Sequence, residues 1–446
     1  MKASSLFIAF SFVAANVFAE PILISEIGSE RATSGAGNKI ISFQGTTHVV
    51  WQDATKEGYF NRVRSFHHRT GKWSEPFTLN RGRDNHARPV IAVDKKGYLH
   101  VILSGHSSPV TYRRSVRSND AAGWTKTEPA GTGTYPVLTC GDDGTLYLTL
   151  RSSNRWNGVD LYVKSPDQKW RKTVKLVRRD PELPGYAGFQ NGLAWGPKRR
   201  TLHMVVDFYE SAGTYNQRGI HQAVCYMRSS DGGKTWQRAD GTQVALPARP
   251  EQMDTLARSR KDRKQKLPPP SILAQGGIVV DSKGTPHVFY VSHLDRPGDV
   301  IHATTDEHGK WHQKPIGAVA KRFSDQRPMA CRGALTIDRD DVIHMLLELK
   351  PLGKLWLDGK PTRPLSFATE GKELIWLTSR DLGKSFEVRT VIDNDQTFNQ
   401  ANVERPAGFN SIPAGRFPPF VYFDGTARYP KGGEVLQNKV YLRLQP

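Results

Sequence analysis

The sequence predicts an all-β protein, a seven-bladed β-propeller in one domain spanning residues 20–446. A two-strand unit recurs along the chain, the composition suits turns and strands, and no segment carries a helical period. Gly 40, Pro 28 and aromatics at 10% fit one large β domain.

The recurring unit has two halves. The first is an apolar strand, an Asp/Gly turn and a second strand. It reads ISFQGTTHVVWQ (41–52), PVIAVDKKGYLHVIL (89–103), PVLTCGDDGTLYLTL (136–150), NGLAWGPKRRTLHMVV (191–206), GGIVVDSKGTPHVFYV (276–291) and GALTIDRDDVIHMLLE (333–348). The second half is a strand, a polar turn and an aromatic, as in RSFHHRTGKW (64–73), LYVKSPDQKW (161–170), CYMRSSDGGKTW (225–236), IHATTDEHGKW (301–311) and WLTSRDLGKSF (376–386). Four short strands per unit of ~40 to 60 residues is the pattern of a propeller blade. Six units are present, and a seventh is expected where Phe417 to Leu444 joins Pro21 to Ser25. Closure of that kind removes open sheet edges. Ser229 to Trp236 fits the Asp-box S-x-D-x-G-x-T-W, whose Asp and Gly hold a turn and whose Trp packs between sheets, a structural signal and not a catalytic one. Arg258 to Pro270 reads as a charged, proline-rich exposed loop between blades.

Lys2, the apolar run Leu6 to Val17 and the small-residue pattern ending at Ala19 form a secretory signal peptide over 1–19. No later run reaches the roughly 18 apolar residues of a membrane span. The expected product is a secreted or periplasmic monomer. Three cysteines (Cys140, Cys225, Cys331) allow at most one disulfide. A net charge of +20 and a pI of about 9.8 suit a polyanionic partner. For an exported chain that partner is an anionic polysaccharide, not nucleic acid.

The candidate chemistry lies at the open ends of three consecutive hairpins. His86 and His106 flank the Asp94–Gly97 turn at similar distances, and Tyr135 and Arg151 each stand eight residues from Asp143. Tyr186 occupies the matching position before the next hairpin. In a propeller these ends converge on one face. An arginine fork suits a carboxylate, and His and Tyr transfer protons. A neutralised carboxylate acidifies the carbon beside it, so the set points to β-elimination of a uronic-acid-containing polysaccharide. No pair of carboxylates, the usual requirement of a glycoside hydrolase, is conspicuous at these strand ends. Asn85, Gln190 and Asn191 beside these groups are the substrate-binding candidates.

The stretches DNHARPVIAVDKKGYLHVILSGHSSPVTYRRS, TYPVLTCGDDGTLYLTLRSSNRWNGVDL, YAGFQN and HQAVCYMRSSDGGKTW resemble the BNR-4 repeat family, which includes the ulvan lyases of polysaccharide lyase families 24 and 25. The resemblance implies His86 and His106 as the two histidines, Tyr135 and Tyr186 as the tyrosines, and Arg151 as the arginine that neutralises the uronate. It implies His106 or Tyr186 as base and Tyr186 as acid. No cofactor is expected. Some relatives carry a structural zinc, for which His221, Cys225 and Cys331 are conceivable ligands. His221 and Cys225 nevertheless stand ~13 Å apart on a regular strand, too far to share one ion. Asp207-Phe208-Tyr209-Glu210 replaces an Arg-bearing strand common in the family, and this acidic pair is expected to alter a subsite for an anionic sugar. The alternatives are a rhamnosidase-like hydrolase on the same fold, a non-catalytic glycan-binding propeller and, last, a sialidase, whose early Arg-Ile-Pro-like motif is missing.

Overall fold

The computed structural model describes residues 20–153, 157–183, 185–211, 220–259, 272–273, 277–292, 299–317, 326–328, 334–351, 372–394, 398–426 and 434–444. The expected signal peptide over 1–19, most of the expected loop from Arg258 to Pro270, and Cys331 lie outside them. The described chain is β throughout, apart from short 3-10 turns at Pro197–Arg199 and Pro250–Gln252. No described helix is long and apolar enough to cross a membrane.

Apolar runs punctuated by Asp and Gly make the hairpins. Pro89–Val93 and Leu99–Leu103 pair residue for residue, from Pro89 with Leu103 to Val93 with Leu99. All positions of both strands are buried, as expected of strands covered on both faces. Gly97, at φ 82°, closes the turn in a backbone region closed to most side chains. The Asp94 carboxylate accepts from the Tyr98 amide at 2.9 Å, so the turn is held by the aspartate that marks it in sequence.

Such hairpins extend into antiparallel meanders that group into five sheets. Two of the sheets are compound. Glu128–Cys140 pairs first with Ser108–Arg114 and then with Leu146–Ser152, so one long strand links two successive meanders. In the largest sheet, Ile22–Gly28 lies between the C-terminal strand Asn438–Arg443 (Ile22 opposite Leu442) and Thr46–Thr55 (Gly28 opposite Asp53). The first and last described strands therefore share one sheet.

Apolar side chains fill the space between consecutive sheets, and Trp51, Trp236 and Trp376 are among the largest wholly buried groups. Trp236 owes its place to the turn before it. Asp231 accepts from the amides of Lys234 and Thr235, and Ser229 accepts from the Gly233 amide at 2.8 Å. The Trp236 indole then donates back to the Gly233 carbonyl at 3.1 Å. The same bonds recur around Asp381, where Ser379 accepts from Gly383 at 2.7 Å and Phe386 takes the aromatic position.

One segment, 404–419, crosses the turn ends of several hairpins. Phe409 donates its amide to the Val93 carbonyl at 3.0 Å, and Arg199 donates to the Gly408 carbonyl at 2.7 Å and lies over the Phe409 ring. Arg339 donates its amide to the Ile412 carbonyl at 3.2 Å.

Trp236→Ala removes a wholly buried indole. It should lower stability by about 3–5 kcal/mol in chemical denaturation, while Asp231→Asn, which weakens only the turn, should cost less.

Candidate active site

His86 and His106 meet at the open end of their hairpin, stacked with ring centroids 3.9 Å apart. Asp84 holds them. Its Oδ1 accepts from the His86 amide at 2.8 Å, an Asx turn, and its Oδ2 accepts from His106 Nδ1 at 2.6 Å. His86 Nδ1 lies 3.3 Å from the same carboxylate. A carboxylate only accepts, so His106 carries a proton on Nδ1 and its reactive nitrogen is Nε2. Burial works to raise the Asp84 pKa, but the bonds from His106 and His86 outweigh it and hold the carboxyl well below the usual range. Burial, followed by the charges of Arg31 and Arg88, lowers His86 to about 4 against the pull of Asp84, so it is neutral at neutral pH.

Tyr135 joins this pair to the next group. Thr134 stands opposite Arg151, but the register slips before Val137, and Tyr135 sits in the slip at φ 58°. For an aromatic residue that left-handed backbone costs about 1–2 kcal/mol, strain of the kind that collects at functional sites. The Tyr135 ring lies 6.3 Å from that of His86, and the Arg151 guanidinium lies 4.5 Å from the Tyr135 ring centre. Arg151 is wholly buried. It donates to the Tyr186 hydroxyl at 2.6 Å and to the Thr134 hydroxyl at 3.3 Å. The two phenol oxygens are 3.3 Å apart. The five residues His86, His106, Tyr135, Arg151 and Tyr186 thus form one contiguous chain of contacts.

The phenols are electrostatically unequal. Burial would raise Tyr135, but Arg151, Arg31, the bond to Tyr186 and Arg88 bring it down to about 8. Burial and the neighbouring Tyr135 push Tyr186 above the ordinary tyrosine range despite Arg151. The pair therefore releases one proton readily and keeps the second.

The acidic residues of 207–210, expected to alter a subsite for an anionic sugar, each carry a partner within the protein. Alternation along the strand sends them to opposite faces, one to a histidine and one to an arginine. Asp207 accepts from His221 Nδ1 at 2.7 Å, and Glu210 pairs with Arg249 at 2.8 Å and with the Asp180 amide at 2.6 Å. Both carboxylates are buried. Tyr209, on the Asp207 side, packs on Tyr186 at 6.1 Å and on His221 at 4.9 Å, continuing the aromatic chain. Cys225 is buried and free, its sulfur 3.7 Å from the Thr255 hydroxyl, and Cys140 is likewise free. Among the described residues the cluster with metal-ligand geometry is Asp84, His86 and His106, and it includes neither His221 nor Cys225.

The substrate-binding candidates differ in setting. Asn85 is buried and donates to the Glu30 carboxylate, and Asn191 is buried and accepts from the Thr149 hydroxyl at 2.7 Å. Gln190 is half-buried and lines a small cavity with Tyr135, Lys39 and Arg88. Sequence reasoning passed over Asp84, Arg31, Arg88 and Lys39. Asp84 carried a signal, since Asp two residues before His is the spacing of an Asx turn. The others sit where no period or motif marks them. Burial, then the charges of Arg88 and Arg405, push Lys39 well below its ordinary value, so its amine is more easily left neutral than that of an exposed lysine.

The sequence profile of the BNR repeat-containing family matches residues 43–319. The chain belongs to that family. It is 22% identical over 326 residues to an ulvan lyase of polysaccharide lyase family 25 from Pseudoalteromonas sp. (strain PLSV), covering 63% of this chain and 64% of that one. It is 23% identical to an ulvan lyase of Alteromonas sp. (strain LOR), over 60% of this chain and 61% of the relative. The match thus spans somewhat less than two thirds of these relatives. In structure, a family 25 ulvan lyase superposes with a TM-score of 0.68 at 17% identity, over 95% of this chain and 96% of that one. The same lyase type bound to -[GlcA(1-4)Rha3S]- gives the same score at 16% identity, over 95% and 96%. The fold is shared.

Asp84→Asn should remove the negative charge and one of the two acceptor oxygens that fix His86 and His106. Imidazole nitrogen NMR should show Nδ1–H at His106 in the wild type and a mixture of tautomers in the variant. Because the folded Asp84 pKa is depressed, its stabilisation is present above the ordinary carboxylate pKa and lost as pH falls toward the depressed value. Acid unfolding of Asp84→Asn should accordingly be shallower than that of the wild type.

Proposed function

We propose that this chain is an exported polysaccharide lyase that cleaves a uronic-acid-containing anionic polysaccharide, ulvan-like with rhamnose and glucuronate, by β-elimination on a seven-bladed β-propeller. The observation that carries the reading is the unequal phenol pair over the buried Arg151, beside the fixed histidines.

The steps follow from the site. Tyr135, the phenol with the lowered pKa, takes the proton from the carbon next to the uronate carboxylate. The electron pair forms the new double bond as the C–O bond to the neighbouring sugar breaks. Tyr186, which keeps its proton, supplies it to the departing oxygen. Arg151 lends positive charge from behind both phenols. His86, neutral, and His106, fixed in tautomer, offer hydrogen bonds to the sugar. A hydrolase would need two carboxyl groups roughly 5–9.5 Å apart across the bond. Among the described residues of the site the carboxylate is Asp84, already bound to both histidines, which disfavours that alternative.

The propeller reading is supported by how the meanders pack. Ile40–Phe43 lies against Pro89–Val93, which lies against Glu128–Cys140, then Ala187–Trp195, Ile278–Val280 and Leu335–Ile337 in turn. Ile343–Pro351 packs on Phe398–Val403, and Asn402 donates to the carbonyls of Gly35 and Gly37 at 3.0 and 3.2 Å, leading back to the first strand. Seven inner strands taken in this order are what supports the reading of seven blades. The leader sequence and the net charge of +20 suit an exported protein that meets a polyanion.

The test is ultraviolet absorbance of the unsaturated uronate when purified protein is mixed with ulvan, glucuronan, rhamnogalacturonan or gum arabic. Absorbance should rise on a uronate polymer, Tyr135→Phe should slow it roughly 10²–10⁴-fold, and His106→Ala should slow it less. Since the ionised phenol is the base, the rate should climb as pH rises through about 8. Rhamnose or reducing ends released without unsaturation would favour the hydrolase instead.

A further inference from the structure

The row of contacts at the site does not stop at Tyr186. The Tyr186 carbonyl accepts from the Ser211 amide at 2.9 Å, which ties the phenol-bearing segment to the end of Leu202–Glu210. On that strand Tyr209 lies edge-on to Tyr186, with ring centroids 6.1 Å apart. Across the sheet Tyr209 stands opposite His221 of Ile220–Ser229, and their rings are 4.9 Å apart. Two such steps are within the reach of the sugar next to the one at the phenols.

His221 is held as His106 is. Both oxygens of Asp207 accept from its Nδ1, at 2.7 and 2.9 Å, and Asp207 itself is 1% exposed. Asp207 stands two residues before Tyr209, so alternation puts both on the side of the sheet that His221 occupies. A carboxylate only accepts, so the shared proton is on Nδ1, and Nε2 of the neutral ring keeps a lone pair. Among the described residues that Nε2 makes no hydrogen bond, and it is not sealed in, since the side chain is 18% exposed. An aspartate-fixed histidine therefore stands at each end of the row that runs from His106 through Tyr135, Arg151 and Tyr186 to His221.

We infer that His221 is a further substrate-binding residue, its Nε2 accepting a hydroxyl of the sugar that lies beyond Tyr186, on the side of the departing oxygen. Asp207 is the positioning residue that keeps this lone pair outward. The place of that sugar rests on the elimination reading, but the contact itself does not.

His221→Asn is the deciding variant. Its amide nitrogen replaces Nδ1 and can still donate to Asp207, while nothing replaces Nε2. His221→Gln, whose amide reaches the Nε2 position, is the partial rescue. Each protein is first shown folded by thermal unfolding, and the probe is a mixture of ulvan oligosaccharides. His221→Asn should raise KM about three- to tenfold and change kcat by less than about twofold, and His221→Gln should recover part of the loss. In Tyr135→Phe protein, where turnover is slow, imidazole nitrogen NMR should show the His221 Nε2 resonance moving as oligosaccharide is added. A folded His221→Asn with wild-type KM overturns the inference, as does an Nε2 resonance that the oligosaccharides leave in place. A fall in kcat at unchanged KM overturns it too, because it marks a role in shaping the site and not a contact. Oligosaccharides that fail to bind the wild type would overturn both this contact and the polysaccharide reading. His221-dependent binding without any unsaturated product would sink the elimination reading and leave the contact standing.

Discussion

Arg151 is wholly buried and, among the described residues, finds phenol, hydroxyl and carbonyl oxygens where a carboxylate would ordinarily stand. A buried charge is costly unless its hydrogen bonds are met. The surrounding structure meets those of the two terminal nitrogens with groups that serve chemistry as well. Tyr186 must turn its oxygen to the guanidinium, and Tyr135 must lay its ring over it, which the strand accommodates by slipping register and placing Tyr135 at positive φ. Adding a carboxylate there would relieve the charge and restore the phenols to ordinary acidity. The absence of that partner keeps one phenol easy to ionise.

The same logic explains how acids are handled elsewhere. Asp207, Glu210 and Asp84 each carry a cationic or histidine partner of their own, so none is left to discharge the cations around Tyr135. Glu404, deep in the centre, is raised by burial and bonded to Ser42 and Asn410 without touching Arg405 in an ion pair. Positive potential is thereby concentrated behind a face of tyrosine and histidine, a field that attracts a polyanion and strengthens in a low-dielectric setting.

Much of this was legible from spacing. In a hairpin, residues equally far from the turn meet across it, which is why His86 with His106 and Tyr135 beside Arg151 could be paired before any coordinates were known. Strand alternation also governs 207–210, but spacing cannot say what lies across the sheet, and the partners His221 and Arg249 come from separate strands and loops. The slip at Tyr135 was invisible because one extra residue in a strand leaves no mark in an apolar pattern. Arg31 was invisible for another reason. It sits in an irregular connection whose position is set by long-range bonds from Asn85 and Gln52, and nothing local in GSERATSGAGNK announces them.

The account stands or falls on a tyrosine made acidic by buried positive charge. Ultraviolet difference titration of the phenols in the free protein reads this directly, without substrate. The account predicts one phenol ionising at about 8 in the wild type and lost in Tyr135→Phe, with every other observable tyrosine at or above its ordinary value of about 10. A wild type in which no tyrosine ionises below that value would contradict it.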